Sequence, residues 1–180
     1  MRDAFYAKPH AMSAPPLTLD ELFHHLTPPC VLIGIDPGTK TIGVAVSDVT
    51  WRIASPLAVI RRKKFAEDAE ALLKLVRERQ AAALILGLPL NMDGSEGPRA
   101  QGARAFQRNL GKLSDLPMAF QDERLSTVSA ERALIERDMS RKKRAAVIDA
   151  HAAAIILQGA LDRLAVLRQT DGTGQSNEQR

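Results

Sequence analysis

Val31-Leu32-Ile33-Gly34-Ile35-Asp36-Pro37-Gly38-Thr39-Lys40-Thr41-Ile42-Gly43-Val44-Ala45-Val46-Ser47-Asp48 is the stretch that decides the fold. An apolar run around one glycine ends in an acid, turns at Pro-Gly, and returns as a second strand-like run. A buried strand does not hold a bare carboxylate unless it is paired or coordinates a metal. Asp36 is therefore either a turn acid or a chemical group, and the residues outward from it decide between the two.

Downstream, Ile53–Ile60 reads as a third strand, and the apolar spacing from Ala66 to Arg79 predicts a helix. The short continuous apolar run Ala82–Gly87 suits a strand buried on both faces. Pro98–Leu113 predicts a helix with proline in its first turn. A fifth strand is expected at Pro117–Gln121, then helices at Thr127–Arg137 and Ile148–Leu167. Three hairpin-linked strands followed by helical crossovers make an α/β architecture, a mixed five-stranded sheet covered by helices. This outline is that of the ribonuclease H-like fold.

Residues 1–28 read as a flexible extension, with a short helix near Leu19–Leu26 started by Thr18. Residues 29–168 form the expected domain, and 169–180, rich in Gln, Gly, Thr and Ser, read as a disordered tail. The net charge of +4 is carried by the predicted domain, because both tails are near neutral or acidic. A modest basic excess fits a polyanionic partner. Aromatic residues make up only 4%, which argues against a base-stacking platform. Cys30 is the only cysteine, so an intrachain disulfide and a thiolate zinc site are both excluded. No apolar run approaches the roughly 20 residues that span a bilayer. A cytoplasmic protein without a membrane partner is expected.

Three carboxylate positions lie at predicted element ends. Asp36 closes the first strand, Asp122-Glu123 follows the fifth, and Asp149 opens the last helix. Each has a plain alternative: a turn acid, a partner for Arg124 or a cap near Thr127, and a helix-start acid. Together they suit a hard divalent cation, which takes one or two carboxylates plus phosphate and water.

Gly34-Ile35-Asp36-Pro37-Gly38-Thr39-Lys40, Gly87-Leu88-Pro89-Leu90-Asn91-Met92-Asp93-Gly94, Asp122-Glu123-Arg124-Leu125-Ser126-Thr127 and Asp149-Ala150-His151-Ala152-Ala153 stand in that order. They resemble the four motifs of the YqgF family, also called RuvX, the pre-16S rRNA nucleases, over about residues 31–165. The resemblance implies a RuvC-like nuclease that processes the 5′ end of the 16S ribosomal RNA precursor, with Mg²⁺ or Mn²⁺ at an acidic site. It further implies Asp36, Glu123 and Asp149 as catalytic and metal-binding acids. Asp122 and Glu123 should face opposite ways, and Glu123 is taken as the site residue. RuvC-like resolvases carry further acids, one near the end of the fourth strand and one a turn along the last helix, where this chain has a Leu-Pro loop and Ala152. That leaves one metal or two open. His151, about 200° round the helix from Asp149, is read as structural or surface.

Around the acids, Lys40, Arg99 and Arg124 lie inside motifs, and Asn91 opens a polar loop, Asn91–Pro98, read as a substrate loop. Arg141-Lys142-Lys143-Arg144 is read as a grip on backbone phosphates. Arg61-Arg62-Lys63-Lys64 is a similar run of unknown orientation. The expected partners are RNA within a ribosomal precursor particle, or branched DNA. Alternative readings are a Holliday-junction-type DNA resolvase and a non-catalytic RNA-binding assembly factor. Asp36–Lys40 also resembles the phosphate hairpin of actin-like ATPases, but the chain supplies neither their second domain nor their second phosphate loop. The sequence leaves the oligomeric state open.

Overall fold

The computed structural model describes residues 15–125 and 141–174, with side-chain surroundings for all of these except Leu125, 141–148 and 171–174. Five strands, β1 (Val31–Pro37), β2 (Thr41–Ser47), β3 (Ala54–Arg61), β4 (Ala81–Leu88) and β5 (Met118–Asp122), form one sheet in the order β3-β2-β1-β4-β5. β1, β2 and β3 are antiparallel neighbours, whereas β4 and β5 run parallel to β1. Among the described residues the helices are α1 (Leu19–His25), α2 (Phe65–Glu78), α3 (Pro98–Leu110) and α4 (Arg141–Gly174). This is the expected mixed sheet, with strand ends shifted by one residue.

Both faces of the central strands are covered, so β1 and β4 are buried almost throughout instead of alternating. On one face Leu32, Ala45, Ala83, Ile85 and Ala119 meet Ala153, Ile156, Leu157, Ala160 and Leu164 of α4. On the other, Ile33, Ile35, Val44, Leu84 and Leu86 meet Leu72 and Val76 of α2 and Phe106 and Leu110 of α3. The alanines of α4 set how closely it rides on the sheet. A Cβ on Gly34 would stand 2.6 Å from the Leu157 Cβ and 2.9 Å from the Ala153 carbonyl oxygen. By length and composition alone, Asp149–Thr170 could cross a membrane, but half of that window is buried inside the protein. Its apolar face is the wall of the core.

The described part of the expected extension, residues 15–28, is not a free segment. Residues 15–28 are built into the fold because their apolar side chains find the α4 face of the sheet. Leu17 donates its N–H to the Met118 carbonyl (2.8 Å) and pairs with Ala119 at the sheet edge. The expected short helix is present, closed by a reciprocal Thr18–Glu21 capping box. Leu22 is fully buried, and Asp20 pairs with Arg163 of α4 at 3.3 Å. At the other end α4 continues to Gly174, through residues expected to be a disordered tail. It also starts earlier, at Arg141, so Asp149 lies two turns inside it and is not a helix-start acid. The helix expected at Thr127–Arg137 lies outside the described residues.

Candidate active site at the carboxyl end of the sheet

Strand register gathers the three acids. Asp36 pairs with Gly43 across the β1–β2 hairpin, and the Ile35–Leu86 pairing brings Gly87 of β4 alongside Asp36 on its other side. By alternation from Gly34, the Asp36 side chain takes the α4 face, where it is 5% exposed. The two flanking glycines leave room for the other acids. A Cβ on Gly43 would collide with the Asp149 main-chain carbonyl, and a Cβ on Gly87 would stand 2.5 Å from Glu123 Oε1. Asp149, Asp36 and Glu123 therefore stand over or on β2, β1 and β4, adjacent strands about 4.8 Å apart. Leu88, Pro89 and the loop beyond carry no acid until Asp93.

Each acid is presented by a local device. The Gly38 N–H donates to the Asp36 carbonyl (3.0 Å), folding the chain back just past the strand. At Asp149, Oδ2 accepts from the Thr41 hydroxyl at 2.7 Å, which fixes the carboxylate against the first residue of β2. Thr41 is a site residue the sequence reading did not single out; its position directly after the motif turn was the available signal. Glu123 begins a short 3₁₀ turn, Glu123–Leu125, directly after β5, which swings its side chain over Gly87. Asp122 points elsewhere and accepts from Arg124, whose guanidinium takes both carboxylate oxygens (Nη2 at 2.7 Å, Nε at 3.0 and 3.2 Å). That bond holds the Asp122 carboxyl below its ordinary range and raises Arg124 above its own. The paired reading thus holds for Asp122.

The other expected contacts spread along the rim. Lys40 and Arg99 are exposed, Lys40 in the β1–β2 turn and Arg99 at the start of α3. Asn91 braces its own loop: Nδ2 donates to Ser95 Oγ (2.8 Å), and the loop turns at Gly94, whose φ of +86° favours glycine. Ser95 donates from N–H (2.9 Å) and hydroxyl (2.6 Å) to Asp93, which lowers the Asp93 carboxyl. Arg141-Lys142-Lys143-Arg144 forms the start of α4, about two turns before Asp149. His151 is exposed, as expected. Arg62 is held by Asp68, Phe106 and Gly38, which places that one residue of the Arg61–Lys64 run.

The donor set is all oxygen, carboxylates with a threonine hydroxyl behind one of them, and this suits Mg²⁺ or Mn²⁺ over softer metals. Among the described residues no three His, Cys, Asp or Glu side chains stand close enough together to enclose one ion. The acids form a row and not a closed shell. A row fits a cation that takes one or two carboxylates and completes its shell with phosphate and water.

A sequence model of the RuvX family, described as Holliday junction resolvase, matches residues 30–163. The chain belongs to the RuvX family. A relative of this RuvX chain in Paracoccus denitrificans, named "Putative pre-16S rRNA nuclease", is 67% identical over 138 residues, covering 77% of this chain and 87% of that one. One of the same name in Rhodopseudomonas palustris is 59% identical over 161 residues, covering 89% and 99%. Among solved structures, the yeast mitochondrial Holliday junction resolvase matches with a TM-score of 0.50 at 13% identity, over 88% of this RuvX chain and 89% of that chain. That likeness concerns the fold, which is the expected ribonuclease H-like fold.

Proposed function

We propose that this chain is a metal-dependent endonuclease that hydrolyses phosphodiester bonds at the 5′ end of the 16S rRNA precursor in the cytoplasm. The observation that carries the reading is the row Asp149–Asp36–Glu123 across β2, β1 and β4, with glycines making room on both sides of Asp36. Relatives at 59–67% identity that bear the name of pre-16S rRNA nuclease support the substrate.

In this reading Asp36, Glu123 and Asp149 hold Mg²⁺ or Mn²⁺. When bound, such an ion lowers the pKa of water and stabilises the leaving oxygen of a phosphodiester. Asp36 is anchored in the middle of the sheet, so its oxygens define where the scissile phosphate sits. Thr41 keeps Asp149 turned toward the row by donating to Oδ2. Glu123, at the start of its 3₁₀ turn, closes the row from the β5 side. Lys40, Asn91, Arg99 and Arg124 line the rim and contact the sugar-phosphate chain, while Arg141, Lys142, Lys143 and Arg144 add sequence-independent attraction. RNA in a ribosomal precursor particle is the partner.

A second reading, resolution of branched DNA, is favoured by the description of the matching family. Both use the same acids, so the substrate must be compared directly. The test incubates the protein with a 16S precursor fragment carrying its 5′ leader and, in parallel, with a four-way DNA junction. Cleavage of the RNA alone supports the proposal, and cleavage of the junction alone replaces it with the second reading. Binding of the RNA without cutting either substrate would make the chain an assembly factor.

A further inference from the structure

On the opposite side of the sheet's carboxyl end from α4 lies a cleft of about 180 Å³, walled by Asp36, Gly38, Arg62, Pro89, Arg99 and Gly102. It opens between the β1–β2 turn and the start of α3. Its volume is below the roughly 300 Å³ at which pockets begin to enclose whole small molecules. The cleft therefore takes a group and not a free nucleotide.

Two cations face this space, and one of them is fixed with care. Arg62 donates from Nη1 to the Gly38 carbonyl at 3.0 Å, and its main-chain N–H donates to the Lys40 carbonyl at 2.9 Å. The guanidinium carbon lies 5.6 Å from the Phe106 ring centroid, and Nε stands 3.5 Å from Asp68 Oδ2. Asp68 is itself 1% exposed and accepts the Lys63 N–H at 2.9 Å. A buried carboxylate, a ring and a carbonyl thus hold one guanidinium at the mouth of the turn that follows Asp36. A guanidinium has five donors in a planar fork suited to phosphate oxygens. The Nη1 donor is spent on Gly38, Nε stands beside Asp68 at ion-pair distance, and the side chain keeps 29% of its surface exposed. Arg99 supplies the second cation from the facing helix.

We propose that this cleft seats a second phosphate of the nucleic-acid strand, a neighbour of the phosphate at the acids, and that Arg62 and Arg99 are its ligands. This rests on the nucleic-acid reading above. A strand running over the edge of the sheet then has one phosphate on the α4 side at the acid row and one on the α3 side in the cleft. Because Arg62 also braces the turn next to Asp36, an occupied cleft fixes the strand against the residue that positions the scissile group. That arrangement sets register without reading bases.

The test measures binding of RNA to the full protein with chelator present, so that no strand is cut. Uncharged methylphosphonate linkages are walked one at a time along the bound stretch. In the wild type, one linkage should weaken binding about tenfold when neutralised. With Arg99→Ala or Arg62→Gln, neutralising that same linkage should cost nothing further, while other linkages keep their wild-type effect. Arg99→Ala leaves the packed Arg62 untouched, so it separates a phosphate contact from a loosened turn. Equal losses in wild type and both variants at every linkage would overturn the seat. A wild type that binds no RNA or DNA strand at all would overturn the nucleic-acid reading with it, and that outcome is distinct from the first.

Discussion

Gly43→Ala probes the packing that builds the acid row. The added Cβ would stand 2.7 Å from the Asp149 carbonyl carbon and 3.4 Å from the Ala153 Cβ. Carbon atoms in comfortable contact are about 3.5 Å or more apart, so a gap of nearly 1 Å must open. The obstacle is main chain on both sides, a central strand and a helix, so no rotamer change relieves it. Overpacking of this kind costs about 1–3 kcal/mol, partly offset by about 0.5–1 kcal/mol from removing a glycine inside a strand. The net loss of about 1–2 kcal/mol corresponds to a fall in Tm of roughly 2–8 °C for a chain of this size. Cleavage should fall further, because displacing a positioned group by about 1 Å costs on the order of 100-fold. Gly102→Ala is the control for stability alone, because Gly102 lines the α3-side cleft: its Cβ meets nothing within 4 Å in α3, so it should raise Tm slightly. Thermal melts of both variants, and initial cleavage rates of Gly43→Ala against wild type, decide the matter. A Gly43→Ala protein with wild-type Tm and wild-type rate would refute the close seating of Asp149 beside Asp36.

Three further outcomes follow from the same geometry. Gly87→Ala meets only the flexible ends of Glu123 and Ile156, so it should lower Tm less than Gly43→Ala while still cutting the cleavage rate. Thr41→Val removes the donor to Asp149 with little change in shape, and should lower kcat at a stability cost of about 0.5–1.5 kcal/mol by melting. Asp48 is held well below the usual carboxylate range, first by the Thr50 hydroxyl and then by the N–H groups of Ile53, Arg52 and Thr50. Its folded pKa is depressed, so its contribution is complete above about pH 3.9 and is lost as pH falls through the folded value. The Tm gap between wild type and Asp48→Asn should therefore narrow on acidification below about pH 4; a gap that is constant with pH would contradict this.

Much of this architecture was legible because strand and turn signals are local. The Val31–Ser47 hairpin, the buried β4 run and the Pro98 helix start each follow from residues within a few positions of one another. What stayed hidden depended on distant partners. Leu22 counts as core only because α4 and the sheet edge lie beneath it, and a Pro-rich, polar stretch gives no sign of that. Thr41 was not singled out because its partner, Asp149, lies 108 positions away in the chain. Asp122 and Glu123 are neighbours in sequence, and what separates them is the end of β5. Asp122 turns to Arg124, while the 3₁₀ turn carries Glu123 over a glycine whose vacancy is visible only in register.

The most direct test of the account is cleavage of the leader-bearing 16S precursor fragment in Mg²⁺ or Mn²⁺, with a chelator control, by wild type and by Asp36→Asn. The account predicts metal-dependent cutting by the wild type, abolished by chelator, and its loss in a variant that still folds and still binds RNA. Retained cutting by Asp36→Asn would contradict the central place given to that carboxylate.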